Sequence, residues 1–156
     1  MNPKGSPLES PRATGAAGLS LIRAFEGFSP GPYVCPAGFP TVGYGHVVRV
    51  GERFEAPLSA EEGEALLRAD LPRYESAVCR LIEVPLGDLC FDALVSFTFN
   101  LGEGALAAST LRRMANAGRL VEAGPQFDRW VFAGAHKLPG LVRRRAAERA
   151  LWERDL

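Results

Sequence analysis

A chain of 156 residues with 47% hydrophobic and 23% charged side chains can bury about 70% of the surface its unfolded form exposes, which suits one packed domain and excludes disorder. The formal charge is zero, and with no aromatic-interleaved basic stripe and no nucleic-acid-binding motif, no nucleic acid partner is expected. No stretch reaches the roughly 18 apolar residues needed to cross a bilayer, so stable membrane insertion is not expected either.

Charge is unevenly spread along the chain. Residues 52–92 carry an excess of six acids and residues 126–156 an excess of three bases. The ordinary reading is solvated helix faces, and the alternative is a basic C-terminal region that meets an anionic polymer. Cys35, Cys79 and Cys90 are an odd set without a CxxC pair, and His46 and His136 add no zinc-ligand spacing. Free thiols, no metal and no cofactor are expected, with Cys79 and Cys90 as small buried hydrophobes of apolar helices.

Residues 1–17 hold three prolines, two glycines, two serines and a threonine without apolar periodicity, and they read as a mobile tail without chemistry. MNPKGSPLESPRATG also lacks the apolar run of a secretory signal, so cytoplasmic synthesis without a signal peptide is expected. Leu19, Leu21, Ile22 and Phe25 then repeat at helical spacing until Gly27 and Ser29-Pro30-Gly31-Pro32 stop the helix. Glu26 falls on its last turn, where Phe25 and Phe28 can desolvate the carboxyl, the setting a general acid needs.

Residues 26–46, EGFSPGPYVCPAGFPTVGYGH, are too rich in proline and glycine to continue as helix. Residues 41–46 alternate as a short strand, Pro36-Ala37-Gly38 reads as a hairpin turn, and Val47 to Val50 adds a third strand. A helix end facing a small sheet makes one wall of a cleft. Ser59-x-x-Glu62 matches a capping box that opens a long helix over about 59–82, and Pro72 should kink or break it where two lobes meet.

Gly87-Asp88 caps the next helix, whose FDALVSFTFN is apolar nearly all round, as in a helix buried on most sides. Asn100, its polar exception, is either a hydrogen-bonded core residue or a ligand-binding cleft group. Ser109-Thr110 caps a further helix closed by Asn116-Ala117-Gly118, and residues 119–131 read as brief helices interrupted near Gly124-Pro125. Trp130 is a core aromatic or a ligand-stacking platform, and FAGAHKLPG reads as a loop. From Leu141 a last helix carries Arg143, Arg144 and Arg145, which span about 200° of helix surface and cannot all face one partner.

Glu26, Cys35 and Thr41 stand in an E-x8-C-x5-T spacing followed by VGYGH. This resembles the E-x8-[D or C]-x5-T signature of the phage-type lysozymes, glycoside hydrolase family 24, in a variant with Cys in place of the catalytic Asp. GLSLIRAFEG, EALLRADL, FDALVSFTFNLG, STLRRMANAG and LPGLVRRRAAE resemble that family's segments in the same order, so the resemblance covers about residues 18–152.

The resemblance implies an α+β, mainly helical, lysozyme-like fold of two lobes with a cleft between them. A small antiparallel sheet lobe would span about 29–58, a linking helix 59–82 and a larger helical lobe 87–156, all within a catalytic domain at 18–156. It implies hydrolysis of the β-1,4 bond between N-acetylmuramic acid and N-acetylglucosamine in peptidoglycan, and hence bacterial cell-wall lysis, with Glu26, Cys35 and Thr41 as catalytic residues; the ligand of the alternative readings above would then be an N-acetyl sugar at Asn100 and a stacked sugar at Trp130. Arg144 would orient or balance Glu26, with Arg145 its paired position and Glu148 the acid of the same pattern, while His46 and Asp70 form a structural pair. It further implies a monomer made in the bacterial cytoplasm that depends on a holin-like membrane permeabiliser to reach the wall. The rival readings are a lytic transglycosylase on the same bond, a cysteine peptidase using Cys35 with His46 or His136, and a non-catalytic glycan-binding module.

Overall fold

The computed structural model describes residues 11–55 and 57–156. Its first helix, α1 (Ala16–Glu26), begins at Gly15, which has no side chain to cap the exposed N–H groups. Asp92 supplies that cap from a distant part of the chain: its two carboxylate oxygens each accept an N–H at 2.8 Å, one from Gly15 and one from Gly18. Any side chain at Gly18 would run into Asp92, because an added Cβ would lie 2.8 Å from the Asp92 Cβ. Just upstream, the backbone N–H and hydroxyl of Thr14 donate to Glu75 at 2.8 and 2.6 Å. The expected tail therefore ends sooner than residue 17, since the chain is docked from Thr14 by polar contacts that carry no apolar periodicity; residues 1–10 of that expectation lie outside the described residues.

Three antiparallel strands follow in the order β1 (Ser29–Val34), β2 (Pro40–Gly43) and β3 (His46–Val47). Tyr33 pairs with Thr41, Val34 with Pro40, and Val42 with His46. The strand expected over 41–46 is cut by a turn at residues 44–45, where Gly45 takes φ +82, so His46 and Val47 form the third strand. That strand stops at Val47, not at Val50: the N–H of Glu52 donates to the Arg49 carbonyl at 3.0 Å, which turns the chain and leaves Val50 fully exposed.

Helix α2 (Ala60–Leu81) opens with the capping box, as Ser59 Oγ accepts from Glu62 N–H and the Glu62 carboxylate accepts from Ser59 N–H. It is unbroken through Pro72. The ring removes the donor to the Arg68 carbonyl, yet both residues are exposed, so water can satisfy that carbonyl. Cys79 is exposed on the outer side of this helix while Ala77 and Val78 face the core, so it is not the buried hydrophobe expected; Cys90 is.

The helical lobe is built on α3 (Asp88–Leu101), buried without interruption from Cys90 to Thr98 and packed by α1, α2 and the last helix. Around it lie α4 (Glu103–Ala108), α5 (Thr110–Asn116), α6 (Leu120–Ala123), a 3-10 helix (Gly124–Arg129) and α7 (Pro139–Glu153). Ile22, Leu67, Leu94, Phe97, Phe127 and Trp152 form the centre of the core. The rings of Phe97 and Phe127 meet edge to face at 5.7 Å. FAGAHKLPG is not a plain loop: β4 (Phe132–Ala133) and β5 (His136–Lys137) pair across a two-residue turn in which Gly134 takes φ +59. Strands of two residues leave no alternation for a sequence reading to find.

The architecture is α+β and mainly helical, a small antiparallel sheet lobe joined by α2 to a larger helical lobe. Among the described residues no helix is long and apolar enough to cross a membrane.

Candidate active site

Glu26 is the last residue of α1, released from the helix by Gly27 at φ +69. Its side chain opens onto a groove of about 600 Å³ lined by Phe25, Asn100, Leu138, Arg143 and Arg144 among others. The two carboxyl oxygens have different neighbours. Oε1 accepts from Arg144 Nη1 at 2.6 Å. Oε2 faces the β2–β3 turn, where a Cβ on Gly45 would lie 3.1 Å from it. Gly45 also has φ +82, so both backbone and space favour glycine at the point where the sheet lobe touches the carboxyl.

The surroundings of Glu26 thus differ from the apolar setting expected from its neighbours in sequence. Phe25 does line the groove, 5.9 Å beneath the Arg144 guanidinium. Phe28 turns instead to Tyr44 and Gly63, with ring centroids 5.3 Å apart in the Phe28–Tyr44 pair. A cation and a glycine turn, more than aromatic rings, set the position of this carboxyl.

Cys35 opens the β1–β2 hairpin turn, its N–H donating to the Phe39 carbonyl at 2.9 Å. Side chains two apart on a strand share a face, so Cys35 follows Tyr33, and Tyr33 is paired with Thr41; the thiol and the Thr41 hydroxyl are diagonal neighbours. The Phe39 N–H and then the Thr41 hydroxyl hold the Cys35 thiol below its usual range, with lesser help from the N–H groups of Ala37 and Gly38 and against an opposing effect of burial larger than either of those two. The same hydroxyl also donates to the Phe39 carbonyl at 3.0 Å. With one proton it serves either the carbonyl or the sulfur at a time.

His46 and Asp70 are brought together, with Nδ1 2.7 Å from a carboxylate oxygen of Asp70. Glu52, absent from the sequence reading, sits 3.0 Å from Nε2. With both ring nitrogens so engaged, His46 is not aimed at Cys35, and His136 is exposed on β5. A cysteine–histidine pair therefore has no support in this geometry.

Arg144, Arg145 and Glu148 are all buried. Neither the solvated helix face nor the surface for an anionic polymer describes them: of the three successive arginines only Arg143 is exposed, and it lines the Glu26 groove. Asn100 is joined to this cluster, its Oδ1 accepting from Arg145 Nη2 at 2.9 Å while the residue also lines the groove. The hydrogen-bonded reading of Asn100 thus has its partner, and its place on the groove wall is where the other reading would put it. Trp130 is half-buried edge to face on Phe97 at 5.5 Å and lines a separate pocket of about 300 Å³ with Ser109 and Gln126. The structure does not bring it to Glu26.

A hollow of about 660 Å³ between residues 11–14 and α2 contains none of these groups. Its guanidiniums are already paired, Arg12 with Asp88, Arg68 with Glu64 and Arg80 with Glu103. The residues that sequence reasoning missed are Gly45, Glu52, Ser96 and Asp92. Only Gly45 carried a local signal, as the second glycine of the G-Y-G turn.

The phage lysozyme family profile matches residues 23–148. An endolysin of Acyrthosiphon pisum secondary endosymbiont phage 1 is 37% identical, covering 87% of this chain and 94% of that protein. An endolysin of Bacillus phage B103 is 39% identical over 87% of this chain but 52% of its own length, so this chain spans about half of that relative. Among solved structures, the muramidase domain of SpmX from Asticcacaulis excentricus has a TM-score of 0.81 and 40% identity, covering 90% of this chain and 97% of that one. With the profile matched across most of the sequence and one endolysin relative covered over 94% of its length, the chain belongs to the phage lysozyme family.

Proposed function

We propose that this phage-type lysozyme is a glycoside hydrolase family 24 muramidase, cutting the β-1,4 bond between N-acetylmuramic acid and N-acetylglucosamine with Cys35 where other members carry Asp. It is a peptidoglycan-lysing glycoside hydrolase. The observation that carries the finer reading is the Glu26 carboxyl, set in a groove with one oxygen held by Arg144 and the other turned to the sheet lobe.

In this reading the proton is carried on Glu26 Oε2, because Oε1 is taken by Arg144. Transfer of that proton to the glycosidic oxygen lets the C1–O bond break and leaves the sugar as an oxocarbenium-like centre. Water attacks C1 and passes its proton to the Cys35 thiolate, while the Thr41 hydroxyl orients the water or the sulfur. A thiol held low by backbone N–H groups supports that role better than an ordinary cysteine would. Proton return from Cys35 through solvent to Glu26 restores both groups. Asn100 and Arg143 line the groove as substrate contacts. The catalytic unit is assigned to residues 14–156, the docked part of the chain, working as a monomer made in the bacterial cytoplasm that reaches the wall through a holin-like permeabiliser; of these points the endolysin relatives support action on the cell wall.

The test is digestion of purified peptidoglycan followed by mass spectrometry. New reducing ends support hydrolysis, 1,6-anhydro ends would assign a lytic transglycosylase, and binding without cleavage would assign a glycan-binding module.

A further inference from the structure

Beneath the groove, α7 sends two guanidiniums and one carboxylate into the interior: Arg144, Arg145 and Glu148 are 3%, 0% and 0% exposed. Buried ions persist only when paired and hydrogen-bonded, and replacing such a group by an apolar one is often neutral or stabilising, so stability alone does not explain the cluster. Its bonds run in one direction. Glu148 Oε1 accepts from Ser96 Oγ at 2.7 Å, from Arg145 Nη2 at 3.0 Å and from Arg144 Nε at 3.3 Å. Its other oxygen lies 2.7 Å from Arg145 Nε. Arg144 Nη2 donates to the Ser96 carbonyl and hydroxyl at 3.3 and 3.4 Å. The third corner of the Arg144 fork, Nη1, is left for Glu26.

A guanidinium is planar and rigid, so fixing Nε and Nη2 fixes where Nη1 points. We propose that Glu148, together with Ser96, is a positioning residue for catalysis: it locks the plane of Arg144 so that Arg144 grips Glu26 Oε1 and leaves Oε2 turned to the sheet lobe. This rests on Glu26 being the acid. Neither Glu148 nor Ser96 reaches the groove; both act through Arg144.

Full-length wild type, Ser96→Ala, Glu148→Gln, Glu26→Gln and the Glu26→Gln/Glu148→Gln pair are compared for peptidoglycan hydrolysis, beside thermal melts of each. Wild type is measured first, and its failure to release reducing ends would overturn the muramidase reading itself, and with it this proposal. With wild type active, Glu148→Gln is expected to lower kcat about 100-fold and Ser96→Ala about tenfold, the scale of an ångström-level misplacement, with KM within about threefold. In the Glu26→Gln background the Glu148 change should add nothing, because the group it positions is gone. Should Glu148→Gln not fold, Ser96→Ala carries the test, as it alters no charge. A folded variant with wild-type kcat, a loss confined to KM, or a Glu148 effect that persists undiminished without Glu26 overturns the proposal.

Discussion

Arg144 Nη1 donates to Glu26 Oε1 across 2.6 Å, tying the last helix to the end of the first over 118 positions of sequence. The arginine is closed off from water and the glutamate is one-fifth exposed, so the pair has a fixed base and an open tip. Glu26→Gln keeps the acceptor for Arg144 and removes the transferable proton. The expected outcome is a fall in hydrolysis of about 100- to 10,000-fold, the usual share of a general acid, with little change in melting temperature. Release of reducing ends from peptidoglycan measures it, and near-normal turnover would remove Glu26 from the chemistry.

Gly45 is where the sheet lobe meets that carboxyl. Gly45→Ala would force a side chain into φ +82 and place its methyl 3.1 Å from Glu26 Oε2. The strain is about 1 to 2 kcal/mol, and the displaced oxygen is the one assigned the proton. Activity should drop by about tenfold or more while a thermal melt still shows a folded protein. Unchanged kcat would mean that Oε2 is not the working oxygen.

How far the sequence carried depended on whether the signal was local. Ser59-x-x-Glu62 announced the start of α2 because a capping box is closed within four residues. FDALVSFTFN announced a buried helix because most of its residues are apolar and Asp92 is its single charge. Asp92 reads in the same string as one more helical residue, yet it caps α1 from 74 positions away, and no periodicity encodes that. The interior lie of Arg145 was hidden for a similar reason: a run of arginines implies solvent unless the carboxylate that meets them in space is known. Pro72 misled in the other direction, since the expected cost of a missing hydrogen bond is small where water reaches the orphaned carbonyl.

His46 lies between two carboxylates, Asp70 and Glu52. The Arg49 N–H, and next the His46 ring, hold the Glu52 carboxyl below its ordinary range. A carboxylate whose folded pKa is depressed adds stability above its unfolded value, about 4.3, and loses it as pH falls through the folded value. Glu52→Gln should therefore weaken the fold at neutral pH and narrow the gap between urea midpoints at about pH 7 and about pH 3. An acid loss as large in Glu52→Gln as in wild type would show that other carboxylates dominate.

Asp92 accepts the N–H groups of Gly15 and Gly18 from inside the protein, and burial pushes its carboxyl up despite those two bonds. Asp92→Ala orphans both donors, the Gly18 one in a buried position, while relieving the cost of burying the charge. The net loss should be about 2 kcal/mol, or roughly 4 to 8 °C in Tm for a chain of this size. A thermal melt tests it; an unchanged Tm would mean that water replaces the carboxylate at the start of α1.

In the proposed mechanism Cys35 takes the place of a second carboxylate, and its surroundings make a specific chemical claim. Three backbone N–H groups and the Thr41 hydroxyl favour its thiolate. Cys90, by contrast, is pushed up to about 12 by burial and the nearby Asp155 carboxylate. Alkylation by iodoacetamide should therefore label Cys35 first and begin at a lower pH than for a free cysteine, with Cys90 unlabelled until the protein unfolds. Thr41→Val removes one of the donors and should move the onset of Cys35 labelling to higher pH. Activity should track the same group: Cys35→Ala is expected to lose at least about 100-fold, whereas Cys35→Asp, which restores a carboxylate base at the hairpin, should keep lytic activity. Peptide mapping after timed alkylation reads the labelling outcomes and peptidoglycan digestion the two activities. A fully active Cys35→Ala would leave water activation to Thr41 and the sugar's own groups, and would remove the thiol from the mechanism.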